Sequence, residues 1–163
     1  MATNFPTSLD SLSNPTATDK QNNPDHATQH ANANDAIEAL QAKVGIDSSA
    51  VVASHDYKLT PRVITLTDGA TVNIDLSKRG VFHLTLGGNR TLTISNETVG
   101  QIFLVRITQD GTGSRLISNW FDTINWAGGS EPTLTTTADK TDTFVFIVTA
   151  SGTYDGYIVG QNV

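Results

Sequence analysis

His26 and His30 stand four residues apart, so on a helix both imidazoles project from one face, as a metal pair requires. The same spacing serves as polar layers that set register in a narrow helical seam. With no evident residues to orient the imidazoles, that second reading is preferred and no metal is expected. Trp120, Phe121 and Trp126 lie close together, with Tyr154 and Tyr157 later in the chain. Aromatic faces beside Asp, Asn and Gln suit a sugar, which makes Trp120, Trp126 and Tyr154 candidate glycan contacts. Sealing the end of a β-domain or a subunit contact is the commoner use of such side chains. Asp139 and Asp142 flank Lys140 and resemble the paired acids of glycoside hydrolysis, but acids three apart in a polar loop are more often solvated turn formers. His83 has no Ser or Asp at a motif spacing, so no triad is supported. Gly87-Gly88-Asn89 and Asp110-Gly111-Thr112-Gly113 lack the Lys-Ser/Thr and the helix of a phosphate loop, and read as hairpin turns. No catalytic residue, no cofactor and no enzymatic activity are expected.

The elements that would position these groups begin with a helix. His30, Ala33, Ile37, Leu40 and Val44 recur at spacings of three, four, three and four, the seam of a coiled coil. Gln29, Asn32, Asp35, Glu38, Gln41 and Lys43 occupy the other faces. Asp25 suits the N-cap and Gly45 the C-terminal stop. An isolated helix this short is marginal in water, because roughly 12–15 residues are needed even in Ala-rich sequences. The seam is therefore expected to meet copies of itself, with other contacts holding the copies together.

The chain has 163 residues, enough for one ordinary domain with extensions. A net charge of −6 and the absence of any Lys/Arg cluster argue against nucleic acid and against an anionic membrane surface. Without cysteine there are no disulfides and no thiolate metal sites, so a reducing cytoplasm suits the chain. No secretory leader is read in Met1–Asp10, and no apolar run approaches the ~20 residues of a membrane helix, so the sequence reads as soluble.

Four segments follow. Residues 1–25 read as an extended arm, with Pro6, Pro15 and Pro24 spaced among polar residues and Phe5, Leu9 and Leu12 its sizeable apolar side chains after Met1. Residues 26–45 are the helix. Residues 46–60 are a connector whose Tyr57 and Leu59 are expected to dock on the next domain. Residues 61–163 carry alternating runs separated by turn residues: Val63–Thr67, Thr71–Leu76, Val81–Leu86, Arg90–Ser95, Ile102–Gln109, Thr143–Thr149 and Tyr154–Val159. Thr143–Thr149 is apolar on both faces and belongs at the centre of a sheet or under a subunit contact. The fold class read from this pattern is mainly β, an antiparallel β-sandwich of jelly-roll type.

Several of these segments resemble virion proteins of tailed bacteriophages. The opening Asn4-Phe5-Pro6-Thr7-Ser8-Leu9-Asp10, with Asn14-Pro15-Thr16 and His26 through Leu40, is similar to the N-terminal signature of head-fibre, capsid-decoration and tail-fibre proteins. Leu86-Gly87-Gly88-Asn89-Arg90-Thr91-Leu92, Gln109 through Arg115, Trp126-Ala127-Gly128-Gly129 through Thr135, and Ala138 through Asp142 resemble the β-domain of the same proteins. The resemblance implies a homotrimer with His30, Ala33, Ile37, Leu40 and Val44 along its axis. It implies an arm that binds the particle, with Phe5, Leu9 and Leu12 inserted among subunits of the major capsid protein. The connector spans at most ~50 Å even when extended, which places the chain close to its anchor. The expectation is a capsid decoration protein, of cement or head-fibre type, on the exterior of the head and made in the host cytoplasm. The alternative is a tail-fibre tip or receptor-binding protein that grips a host surface glycan.

Overall fold

A computed structural model of the chain describes Thr18 and residues 25–46, 49–60 and 62–163. The arm residues Phe5, Leu9 and Leu12 lie outside the described residues. The chain divides into two compact units, Met1–Thr60 and Pro61–Val163.

In the first unit, α1 spans His26–Val44. The Asp25 carboxylate accepts the Thr28 N–H at 3.3 Å and the Thr28 hydroxyl at 2.6 Å, which caps the N-terminus. Gly45, at φ +88°, closes the other end, its N–H donating to the Gln41 carbonyl at 2.8 Å. No residue of α1 is buried. The connector contains a second helix, α2 (His55–Leu59), where the sequence pattern marks none. Ser54 caps it by accepting the Tyr57 N–H. Tyr57 is buried, but Leu59, expected to dock, is 81% exposed.

The second unit is built from β1 (Val63–Thr65), β2 (Thr71–Asp75), β3 (Val81–Leu86), β4 (Arg90–Ser95), β5 (Ile102–Gln109), β6 (Ile117–Asn119), β7 (Thr123–Trp126), β8 (Thr141–Ala150) and β9 (Thr153–Gly160). They form a six-stranded sheet, β1-β3-β5-β8-β9-β7, and a three-stranded sheet, β2-β4-β6. The fold is mainly β, but the expected antiparallel jelly-roll pairing is not what forms. Five of the seven strand pairings are parallel, and only β5–β8 and β8–β9 run antiparallel.

The turns account for the difference. Gly87-Gly88-Asn89 and Asp110–Gly113 are expected to close hairpins, and Asp68-Gly69 links β1 to β2 in the same way. Each instead carries the chain from the large sheet to the small one, so the strands on either side never pair with each other. From β1 to β6 the chain alternates between sheets and winds through three coils, stacking β1, β3 and β5 in one sheet and β2, β4 and β6 in the other. Alternation at period two tells which side chains face inward, and a turn rich in Gly and Asp tells where the chain bends. Neither tells whether the next strand lies beside the last or across the core.

Inward-facing residues of both sheets meet in one core. Val72, Ile74, Leu76, Leu92 and Ile117 come from the small-sheet side, and Phe82, Leu84, Leu86, Phe103, Val105, Ile107, Phe144, Phe146 and Val148 from the large sheet. The alternation read in the sequence places the inward faces of β2, β3, β4 and β5 correctly, and β8 sits between β5 and β9, away from either edge. Two short strands, β6 and β7, fall where no alternating run is visible. Phe103 joins four other rings in the core, with centroids 5.3 Å from Phe146, 5.9 Å from Phe121, 6.3 Å from Tyr154 and 6.4 Å from Phe82. Truncating it to Phe103→Ala removes contacts to all four rings at once. The expected cost is about 3–5 kcal/mol, read as a fall in the urea midpoint at unchanged m-value.

Candidate functional site

Two adjoining hollows lie where the chain leaves β6 for β7. Trp120 and Trp126 meet edge to face at 5.1 Å, and with Asn119, Asp122, Ile124 and Glu131 they line an open groove of about 320 Å³. On the other side of Trp120, Leu116, Pro132, Thr133 and Leu134 line a second hollow of about 220 Å³, also reached by Glu131. The Trp120 indole N–H donates to Glu131 Oε1 at 3.0 Å, which fixes both side chains between the two hollows. The first groove presents aromatic edges beside the acids Asp122 and Glu131, with no Lys or Arg in its lining. That chemistry suits hydroxyl-rich or cationic groups rather than an anion.

Both indoles are nevertheless largely committed to the core. Trp120 packs on Phe144 at 5.2 Å and Phe146 at 5.9 Å, and Trp126 on Phe146 at 5.5 Å. Trp126 lies against Gly156, where an added Cβ would come within 2.8 Å of the indole. Glycine at that position leaves room for the ring against the strand.

Tyr154 does not join the groove. It is fully buried, and its hydroxyl donates to Glu97. The expected glycan trio is therefore a pair, Trp120 and Trp126. Glu97 was not singled out from the sequence, because it sits in an ordinary polar loop. Its carboxylate also accepts the Gly152 N–H at 2.8 Å and the Ser151 hydroxyl at 3.0 Å, tying the β8–β9 turn to the loop after β4. The Tyr154 hydrogen bond, followed by that of Gly152, holds the Glu97 carboxyl below its usual range. Burial and the facing carboxylate push the Tyr154 phenol up.

The remaining acids are structural. Asp142, expected as a solvated turn former, lies on β8 and is 2% exposed. It accepts N–H bonds from Thr135 at 2.6 Å and Asn162 at 3.0 Å, holding one loop and the C-terminal segment on the sheet end. Asp139 sits at φ +62°, its N–H donating to the Asp110 carbonyl at 3.3 Å. Asp68 receives Arg90 through both Nε (2.7 Å) and Nη2 (2.5 Å), a fork that joins the first arch to the second. This hydrogen-bonded guanidinium holds the Asp68 carboxyl below the usual range, and Arg115 does the same for Asp110. His83 projects from the outer face of the large sheet, with Nε2 2.9 Å from the Thr108 hydroxyl. Burial and then neighbouring Arg106 push its imidazole pKa down.

On α1, Ile37, Leu40 and Val44 are each about half exposed, and His30 and Ala33 are exposed. His26 and His30 converge, Nε2 to Nε2, at 3.1 Å. Among the described residues no three His, Asp or Glu side chains come together as a metal site, and no helix is long and apolar enough to cross a membrane. No protein-family model, curated protein or solved structure matches the chain.

Replacing Glu97 by Gln tests the clamp. A carboxylate whose folded pKa lies below its unfolded value stabilises at neutral pH and loses that contribution as pH falls through the folded value. Glu97→Gln is expected to lower Tm by about 5 °C at pH 7. The gap from wild type should close towards pH 3, and thermal melts at the two pH values read it.

Proposed function

We propose that this chain is a structural virion protein of a tailed phage, a homotrimeric capsid decoration protein anchored through its N-terminal arm to the major capsid protein. The observation that carries the reading is α1: a capped helix of 19 residues that buries none of its own side chains and leaves Ile37, Leu40 and Val44 half exposed. A helix of this length gains most of its stability from packing an apolar face, and the seam spacing is that of helices packing on copies of themselves. The resemblance of the opening residues and of the β-domain segments to phage head and tail proteins supplies the particle, and the short connector favours the head over a long fibre. The proposed role is mechanical, without catalysis or cofactor, at the exterior surface of the virion. It calls on neither nucleic acid nor membrane.

Gold-labelled antibody against residues 61–163 is expected to decorate the heads of intact virions, and label confined to the tail tip overturns the reading. Ile37→Asp with Leu40→Asp is expected to convert trimer to monomer in sedimentation velocity at micromolar concentration.

The groove at Trp120 and Trp126 favours a second reading, a tail-fibre tip or receptor-binding protein that holds a host surface glycan. Under it, Glu131→Ala, at the exposed rim of the groove, abolishes retention on immobilised host-surface polysaccharide. Under the first reading it leaves virion assembly unchanged.

A further inference from the structure

The two sheets of residues 61–163 show opposite outer faces. The small sheet presents Thr71, Asn73, Asp75, Thr91, Thr93 and Ser95, laced by bonds from Asn73 Nδ2 to the Ser95 hydroxyl at 2.9 Å and from the Thr93 hydroxyl to Asn73 Oδ1 at 3.2 Å. That is an ordinary solvated surface. The large sheet presents a continuous row across five strands, Val63, Val81, Leu104, Val145 and Tyr157, brought side by side by the strand register. Ile102 and Ile147 extend the apolar area by one row. Val63 and Ile102 are more than 60% exposed and Tyr157 41%. One domain thus keeps a polar face and a face crossed by an apolar band, bordered by Thr65, His83, Arg106 and Thr143, towards the same solvent, and polar-rimmed apolar bands mark contact surfaces.

Resting on the proposed trimer, we infer that this face of the large sheet is the β-domain's contact with further copies of the same chain, Arg106 of one copy meeting Asp155 of the next. The two charges sit diagonally about Val145. Arg106 lies opposite Thr143 on one side of β8, and Asp155 opposite Ile147 on the other. Two strand spacings across and four residues along separate them by about 16 Å, far beyond ion-pair reach within one chain. Among the described residues no carboxylate lies within ion-pair distance of Arg106. Around a threefold axis passing near Val145, the cationic side of each face turns towards the anionic side of its neighbour, so one sequence supplies both halves of the contact.

Size selects a copy over an unrelated partner. Five strands at ~4.8 Å and two rows at ~6.7 Å make a patch of roughly 300 Å². A stable interface takes roughly 800 Å² per partner. A copy adds what the face lacks, because it brings its own α1 seam, and two linked contacts reinforce each other through effective concentration.

The test is charge exchange in the full chain, followed by sedimentation equilibrium and native mass spectrometry, with far-UV circular dichroism to verify the fold. Arg106→Glu and Asp155→Arg are each expected to raise the concentration of half-dissociation about tenfold, through like charges brought together. The double exchange is expected to return it close to the wild-type value, which a merely local defect would not do. Val145→Lys, at the centre, is expected to yield monomer. A trimeric wild type whose Arg106→Glu and Val145→Lys variants stay equally trimeric overturns this interface and leaves the α1-based reading standing. A monomeric wild type overturns both.

Discussion

Three strands cannot cover six, and the inner faces of β8, β9 and β7 would lie open if the small sheet were the only roof. The surplus holds Phe144, Phe146, Val148 and Tyr154, too much apolar surface to leave in water. The cover comes from the chain that runs between β6 and β8. Phe121 enters between Phe103, Phe146 and Tyr154, Trp120 and Trp126 lean on Phe144 and Phe146, and Leu134 is buried from the loop. Much else follows from this roof. Gly156 leaves room for Trp126, Asp142 fastens residues 133–135 over the sheet end, and Glu97 anchors the turn that carries Tyr154 inward. The groove at Trp120 is what remains visible of the same packing from outside, so any ligand there would touch residues that also hold the core together.

Facing could be read from the sequence and pairing could not. The alternation of Val72, Ile74 and Leu76 against Thr71, Asn73 and Asp75 placed each on its proper side, and Asp25 and Gly45 bounded α1 correctly. The direction of pairing was hidden because Asp-Gly and Gly-Gly-Asn bend a chain equally well in a hairpin and in an arch across a core. The arches declare themselves only through contacts distant in sequence, such as Arg90 forking onto Asp68 from the neighbouring coil. At the candidate site, aromatic composition pointed to the right segment but overstated its exposure. One signal was available: Tyr154 and Gly156 share a face, and a glycine two residues from a buried tyrosine marks a slot for another ring. Asp142 had no such signal, since a carboxylate between two threonines looks solvated until its three hydrogen-bond donors are placed around it.

Among the described residues each unit leaves an apolar stretch of recurring spacing outside, and neither stretch is large. The α1 seam offers Ile37, Leu40 and Val44, and the large sheet offers one row and part of another. Dividing exposed apolar surface in this way limits the indiscriminate association that one extensive patch would drive. In the proposed trimer it also makes assembly depend on geometry, since a partner copy has to satisfy both surfaces together.

The coiled winding gives residues 61–163 a direction under load. Tension arriving from the N-terminal side enters at β1, a three-residue strand whose sole neighbour in the sheet is β3. Beyond it the hydrogen-bonded ladders lengthen, to β3 against β5 and then to the eight- and ten-residue strands β5 and β8. Such a gradient yields from the tethered end inwards, one coil at a time. Under the proposed N-terminal anchoring, the small first strand is the part expected to peel first, ahead of the aromatic roof at the far end.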